Sequence, residues 1–127
     1  MTILKKTNTD MLIAIVDDDQ FFGEALQSLL TLIGFRTATF ASARDFLASH
    51  QFPNVSCAIL DVAMPGMDGL ELQQHLVATH PIPIIFVTDM RDAKTRDEAV
   101  RAGAISFLNK PVSEETLIDA LNAALRS

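Results

Sequence analysis

Five short strand-like runs, three of them almost wholly apolar, alternate along this chain with segments of helical period, and that alternation leaves few folds open. The runs are Leu12–Val16, residues 37–40, Cys57–Leu60, residues 84–87 and residues 106–108. Residues 84–87 carry no polar side chain, as expected of a strand buried on both faces. Between the first two runs, Phe22, Ala25, Leu26, Leu29, Leu30 and Ile33 recur at the spacing of one helix face, and Gly34 supplies the stop. Ser42 caps a short helix through Leu47, which Pro53-Asn54 breaks. Leu72, Leu76 and Val77 stripe a third helix ended by His80-Pro81, and residues 93–102 form a charged fourth helix closed by Gly103. Ser113 caps a last helix carrying Leu117, Ile118, Leu121 and Leu125. Strict alternation of strand and helix predicts an α/β domain with a doubly wound parallel sheet covered on both faces. A chain of 127 residues suffices for one such domain and not two. Residues 1–10 read as a loose polar leader and residues 11–127 as the domain.

Four of the runs end in a polar residue suited to phosphate chemistry. Leu12–Val16 runs into Asp17-Asp18-Asp19, Cys57–Leu60 into Asp61, residues 84–87 into Thr88, and Phe107-Leu108 is followed shortly by Lys110-Pro111. In a parallel sheet these side chains meet at the carboxyl edge, where open α/β sheets bind ligands. Two carboxylates roughly 4 Å apart repel by about 4 kcal/mol at an effective dielectric near 20, so the cluster needs a compensating ion. A magnesium ion and a phosphoryl group satisfy carboxylates, hydroxyl and ammonium together. Asp19 has a simpler use as the cap of the first helix. The loop from Asp61 to Gly69 holds one proline and two glycines, the mark of a shaped turn rather than a slack connection.

Composition narrows the function classes. The net charge is −6 with Lys and Arg scattered among acids, so no basic stripe is available for nucleic acid, and direct nucleic-acid binding by this segment is not expected. No apolar stretch reaches the length of a membrane span. The lone Cys57 cannot form an intrachain disulfide and lies in an apolar run, which suits a reducing cytoplasm. His50, His75 and His80 are dispersed without metal-ligand spacing.

Taken in order, Val16-Asp17-Asp18, the tract Leu60-Asp61-Val62-Ala63-Met64-Pro65-Gly66-Met67-Asp68-Gly69, Val87-Thr88, and Ala102-Gly103-Ala104 with Lys110-Pro111 resemble a bacterial two-component response-regulator receiver domain. The resemblance covers residues 11–126, and residues 99–111 resemble receivers of the nitrogen-fixation and LuxR-type transcription-factor branch. It implies a flavodoxin-like fold with strand order 2-1-3-4-5 and a cis Lys110-Pro111 bond. It also implies that Asp61 is the phosphoacceptor, taking a phosphoryl group from a sensor histidine kinase or a histidine phosphotransfer protein. Mg²⁺ is then held by Asp18, Asp61 and the Ala63 backbone carbonyl, with Asp17 acting indirectly or through water. Lys110 reaches toward Asp61 and the phosphoryl group, and Thr88 and Phe107 are the switch residues. Phe107 equally suits plain strand packing, and it lacks the hydroxyl of a tyrosine. Output runs through the fourth helix, fifth strand and fifth helix, a face that also suits a homodimer on phosphorylation. Ala63 and Met90, two residues beyond Asp61 and Thr88, border the phosphoryl group. The implied role is a cytoplasmic signalling switch that assists its own phosphorylation and dephosphorylation rather than an enzyme acting on other substrates.

Two other readings use the same residues. A Mg²⁺-dependent aspartyl phosphatase of the haloacid-dehalogenase type needs Asp-x-Asp-x-Thr/Val after the first strand, whereas Asp17-Asp18-Asp19-Gln20-Phe21 places Phe last. A degenerate receiver acting only as an interaction module would not need Asp17, Asp18, Asp61, Thr88 and Lys110 together.

Overall fold

The computed structural model describes residues 10–126, so the expected leader lies outside the described residues apart from Asp10. Strand β1 (Leu12–Val16) leads into helix α1 (Gln20–Ile33), then β2 (Arg36–Phe40) and α2 (Ala43–Ala48). The chain continues through β3 (Cys57–Leu60), α3 (Gly69–Thr79), β4 (Ile84–Thr88), α4 (Ala93–Arg101), β5 (Ser106–Asn109) and α5 (Glu114–Arg126). Every strand pair is parallel and the order is β2-β1-β3-β4-β5, as the resemblance implied.

Alternate residues of the strands feed two cores. Ala14, Val16, Ala58, Leu60 and Phe86 pack with Phe46 of α2, Leu72 and Leu76 of α3 and Ala99 of α4. Ile13, Ile15, Ile59, Ile85 and Val87 pack with Leu26 and Leu30 of α1 and with Leu117, Leu121 and Ala124 of α5. Both faces of the sheet are therefore covered, which is why the central strands β1, β3 and β4 are buried at every position, while the edge strands β2 and β5 carry polar residues. Cys57 is fully buried in the second core, and burial pushes its thiol up to about 12, so it is an inert packing residue.

The helix starts follow their caps. The Asp19 carboxylate accepts from the Phe22 N–H at 3.1 Å, the Ser42 hydroxyl from the Asp45 N–H at 3.1 Å, and the Ser113 hydroxyl from the Thr116 N–H at 3.1 Å. Gly34 ends α1 in the left-handed region at φ 107°, which costs glycine nothing.

Three expectations need correction, the first being Ala25, which is exposed and takes no part in the buried face of α1. Pro53-Asn54 is not what ends α2, which stops at Ala48; residues Phe52–Asn54 instead make a 3₁₀ turn with proline in its first turn, where a missing N–H is harmless. Val77 is 53% exposed, so the buried stripe of α3 is Leu72 and Leu76 without it. The polar Gln73 is buried instead, and its side-chain amide donates to the Ala99 carbonyl of α4 at 2.8 Å.

Candidate functional site

Asp17, Asp61 and Lys110 each stand one step beyond a strand and are still held by the neighbouring strand's backbone. The Asp17 N–H donates to the Phe40 carbonyl at 3.0 Å, the Asp61 N–H to the Val16 carbonyl at 3.0 Å, and the Lys110 N–H to the Thr88 carbonyl at 2.9 Å. The register pairs Val16 with Leu60, which sets Asp17 beside Asp61. These strands flank the point where the chain changes direction across the sheet, β1 being followed outward by β2 and then, on its other side, by β3. Crevices for ligands open at such switch points.

The carboxylates of Asp17, Asp18 and Asp61 offer oxygens that all lie within 4.8 Å of one another. Asp17 and Asp61 are buried, while Asp18 is exposed. The Asp17 Oδ1 accepts from the Asp19 N–H at 2.8 Å. Lys110 Nζ lies 2.9 Å from Asp17 Oδ2 and 3.4 Å from Asp61 Oδ2. The closer of these is an ion pair poorly directed for a hydrogen bond, so Asp17 Oδ2 has no hydrogen-bond partner. Asp61 Oδ1 is likewise buried and unpartnered. Burial and then the charge of Asp61 raise the Asp17 carboxyl above its ordinary value, against the pull of Lys110 and the Asp19 N–H. Burial draws the Lys110 ammonium down, but Asp17 and Asp61 outweigh it and leave it raised.

Unpartnered buried oxygens are rare because each costs its full desolvation. Here Asp61 Oδ1 has neither a hydrogen bond nor an ion pair, Asp17 Oδ2 has only the Lys110 charge, and one ammonium cannot neutralise three converging carboxylates. A hard divalent cation bound by oxygen ligands answers both the charge and the missing partners, so the residues present fit Mg²⁺.

The β3–α3 loop frames this cluster. Val62 and Met64 are buried, Ala63 is exposed, and Gly66 turns the chain at φ +79°. Asp68 and Glu71 form a reciprocal capping box at the start of α3. The Gly69 N–H donates to the Val62 carbonyl at 2.8 Å and draws the helix against β3.

Thr88 is fully buried at the end of β4, and its hydroxyl accepts from the Met90 N–H at 3.2 Å. Phe107 is buried, with its ring 5.8 Å from that of Phe86. The Lys110-Pro111 bond is cis. Three residues that the sequence did not single out also gather here. The Asn109 amide donates to the carbonyls of Thr88 and Met90 at 3.2 and 2.8 Å, and Arg91 donates to the Lys110 carbonyl at 2.9 Å. The Phe22 ring lies beneath the Lys110 ammonium. Adjacency to Lys110 is the one sequence signal that marked Asn109; nothing in the sequence marked the other two.

Residues 13–122 match the model of the response regulator receiver domain family. The chain is 43% identical over 118 residues to response regulator protein TmoT of Ectopseudomonas mendocina, covering 92% of this chain and 54% of that protein. It is 35% identical over 115 residues to the transcriptional regulatory protein FixJ of Bradyrhizobium diazoefficiens, covering 90% of this chain and 56% of FixJ. The solved structure of response regulator StyR superposes with a TM-score of 0.84 at 42% identity, over 92% of this chain and 60% of StyR. The chain spans about half the length of the curated relatives it matches. Fold, ordered motifs and relatives agree: the chain belongs to the response-regulator receiver domains, signalling modules of two-component systems.

Proposed function

We propose that the chain is a phosphorylation-dependent switch in which Asp61 accepts the phosphoryl group of a phosphohistidine on a sensor kinase or phosphotransfer protein. The observation that carries this reading is the buried, unpartnered Asp61 Oδ1 beside two further carboxylates and the Lys110 ammonium. An oxygen held without a hydrogen bond keeps its lone pairs for a nucleophilic step. The O–P bond forms as the P–N bond breaks, and that bond's electrons return to the imidazole of the donor. Lys110, 3.4 Å from Asp61 Oδ2, stands ready to neutralise charge on the transferred oxygens. Asp18, Asp61, the Ala63 carbonyl and, less directly, Asp17 would hold Mg²⁺, which supplies charge neutralisation at the phosphoryl oxygens when bound. Incubation with acetyl phosphate and Mg²⁺ is expected to add one phosphoryl group per chain by intact mass. No adduct, with beryllofluoride also failing to bind, would refute the reading.

Output is assigned to the α4–β5–α5 face. Among the residues of α4 only Ala99 is buried, so little apolar surface fixes that helix. Thr88, at the end of β4, and Phe107, in β5, are the residues that would carry the change to it. Relatives named as transcriptional regulatory proteins support a transcriptional output, and pairing of two copies on phosphorylation is assigned to the same face.

Mg²⁺ is expected to stabilise the fold by mass action. At ten times its Kd the gain is about 1.4 kcal/mol, a Tm rise of roughly 5 °C. Asp18→Ala should remove most of that shift, because its exposed carboxylate is the one not engaged by Lys110. A full shift persisting in Asp18→Ala would show that other residues hold the ion.

The phosphorylated form should decay slowly, over minutes or longer. Ala63 has no polar side-chain atom to align a water, and Met90, 36% exposed at the rim, offers only a flexible apolar chain. Phos-tag gels after removal of the donor would follow the decay. Ala63→Asn and Met90→Glu should both shorten it, and a parent that decays in seconds would contradict the assignment.

A further inference from the structure

We propose that Phe22 is a positioning residue for Lys110, its ring face covering the ammonium and holding it between Asp17 and Asp61. The inference rests on reading Asp61 as the phosphoacceptor, and it assigns a further residue to that reaction. Lys110 Nζ lies 4.4 Å from the centroid of the Phe22 ring, inside the range of about 6 Å over which a ring face attracts a cation. An ammonium has three donors and no acceptor. Asp17 at 2.9 Å and Asp61 at 3.4 Å are two of its contacts, and the Phe22 ring is a third. The Lys110 side chain is only 11% exposed.

The ring is fixed by a closed circuit of contacts. Asp17 binds Lys110 through one oxygen and the Asp19 N–H through the other. The Asp19 carboxylate caps α1 by accepting from the Phe22 N–H, and the Phe22 ring returns to Lys110. Phe22 also packs against the α1–α5 core. The acidic pair and the lysine, drawn from opposite ends of the sequence, are thereby tied through one aromatic side chain.

The chemistry favours a ring here over a polar residue. A third carboxylate or an amide would fix Nζ with a directed hydrogen bond and compete with an incoming phosphoryl oxygen. A ring quadrupole attracts the charge without a lone pair, so the ammonium stays centred yet free to turn toward a new oxygen on Asp61. An aliphatic residue would fill the space beside the core but lack the attraction.

The test compares Phe22→Leu and Phe22→Tyr with the parent, by initial rate of phosphorylation from acetyl phosphate at saturating Mg²⁺ and by the NMR position of the Lys110 ε-methylene. In the parent and in Phe22→Tyr the methylene should be shifted upfield by the ring, and in Phe22→Leu it should return to the ordinary lysine position. The rate in Phe22→Leu should fall roughly fivefold, the loss of one cation–π contact at a largely enclosed site, and Phe22→Tyr should restore it. An unshifted methylene in the parent overturns the proposal without any variant, and so does a Phe22→Leu rate equal to the parent's. Undiminished phosphorylation of Asp61→Asn would instead strike at the phosphoacceptor, and the methylene shift separates that failure from this one.

Discussion

Asp61→Asn and Asp61→Ala are expected to take up no phosphoryl group from acetyl phosphate and Mg²⁺, where the parent takes one. Asparagine keeps the shape of the side chain, and the strand-end bond from the Asp61 N–H to the Val16 carbonyl is untouched, so the fold should survive. What disappears is the anionic oxygen that has no hydrogen-bond partner. Neither neighbour replaces it: Asp17 is engaged by the Asp19 N–H and Lys110, and Asp18 points from an exposed position at the cluster's edge. Intact mass on parent and variants, with circular dichroism to check folding, measures the effect. Equal adducts in parent and variants would move the phosphoacceptor to another carboxylate and refute the assignment.

Gly69→Ala should destabilise the protein although alanine is the better helix former. A methyl group at Gly69 would overlap the Asp61 carbonyl oxygen and lie 2.9 Å from both the Asp61 carbonyl carbon and the Val62 Cα. All three are backbone atoms, so no rotamer change relieves the clash, and the end of β3 must shift. Overpacking of this kind costs about 1–3 kcal/mol, a Tm fall of roughly 5–10 °C. The same movement displaces Asp61 and should lower phosphorylation. Gly23 in α1 is the internal control, because a methyl group there meets nothing within 4 Å. Gly23→Ala should gain about 0.5–1 kcal/mol, the ordinary helix preference. A Gly69→Ala Tm equal to or above the parent's would show that the close approach of α3 to Asp61 is not what requires glycine.

The central strands β1, β3 and β4 were legible because a sheet covered on both faces leaves their run almost wholly apolar, and the caps at Asp19, Ser42 and Ser113 are local chemistry. Asp17, Asp18, Asp61, Thr88 and Lys110 were legible because each directly follows, or stands at, a strand end, and parallel strands bring their ends to one edge. Phe22, Asn109 and Gln73 were not, because what they do depends on partners far along the chain. Gln73 sits in a helix where a glutamine ordinarily faces water, and only the approach of Ala99 from α4 makes it a buried donor. Val77 failed for the converse reason. It follows Leu76 by about 100° around the helix, and α3 lays only a narrow strip on the sheet, so a residue at the strip's margin stays in solvent.

The sparse anchoring of α4 bears on how small an input can operate such a device. Turning a two-state population from 1:99 to 99:1 requires about 5.5 kcal/mol of differential stabilisation. A helix that buried a full apolar stripe would resist with more than a few charge-assisted hydrogen bonds, at about 1.5–3 kcal/mol each, supply. Because α4 buries one alanine and is tied to α3 through one glutamine amide, a movement of this helix, if the proposed output runs through it, would have few contacts to break.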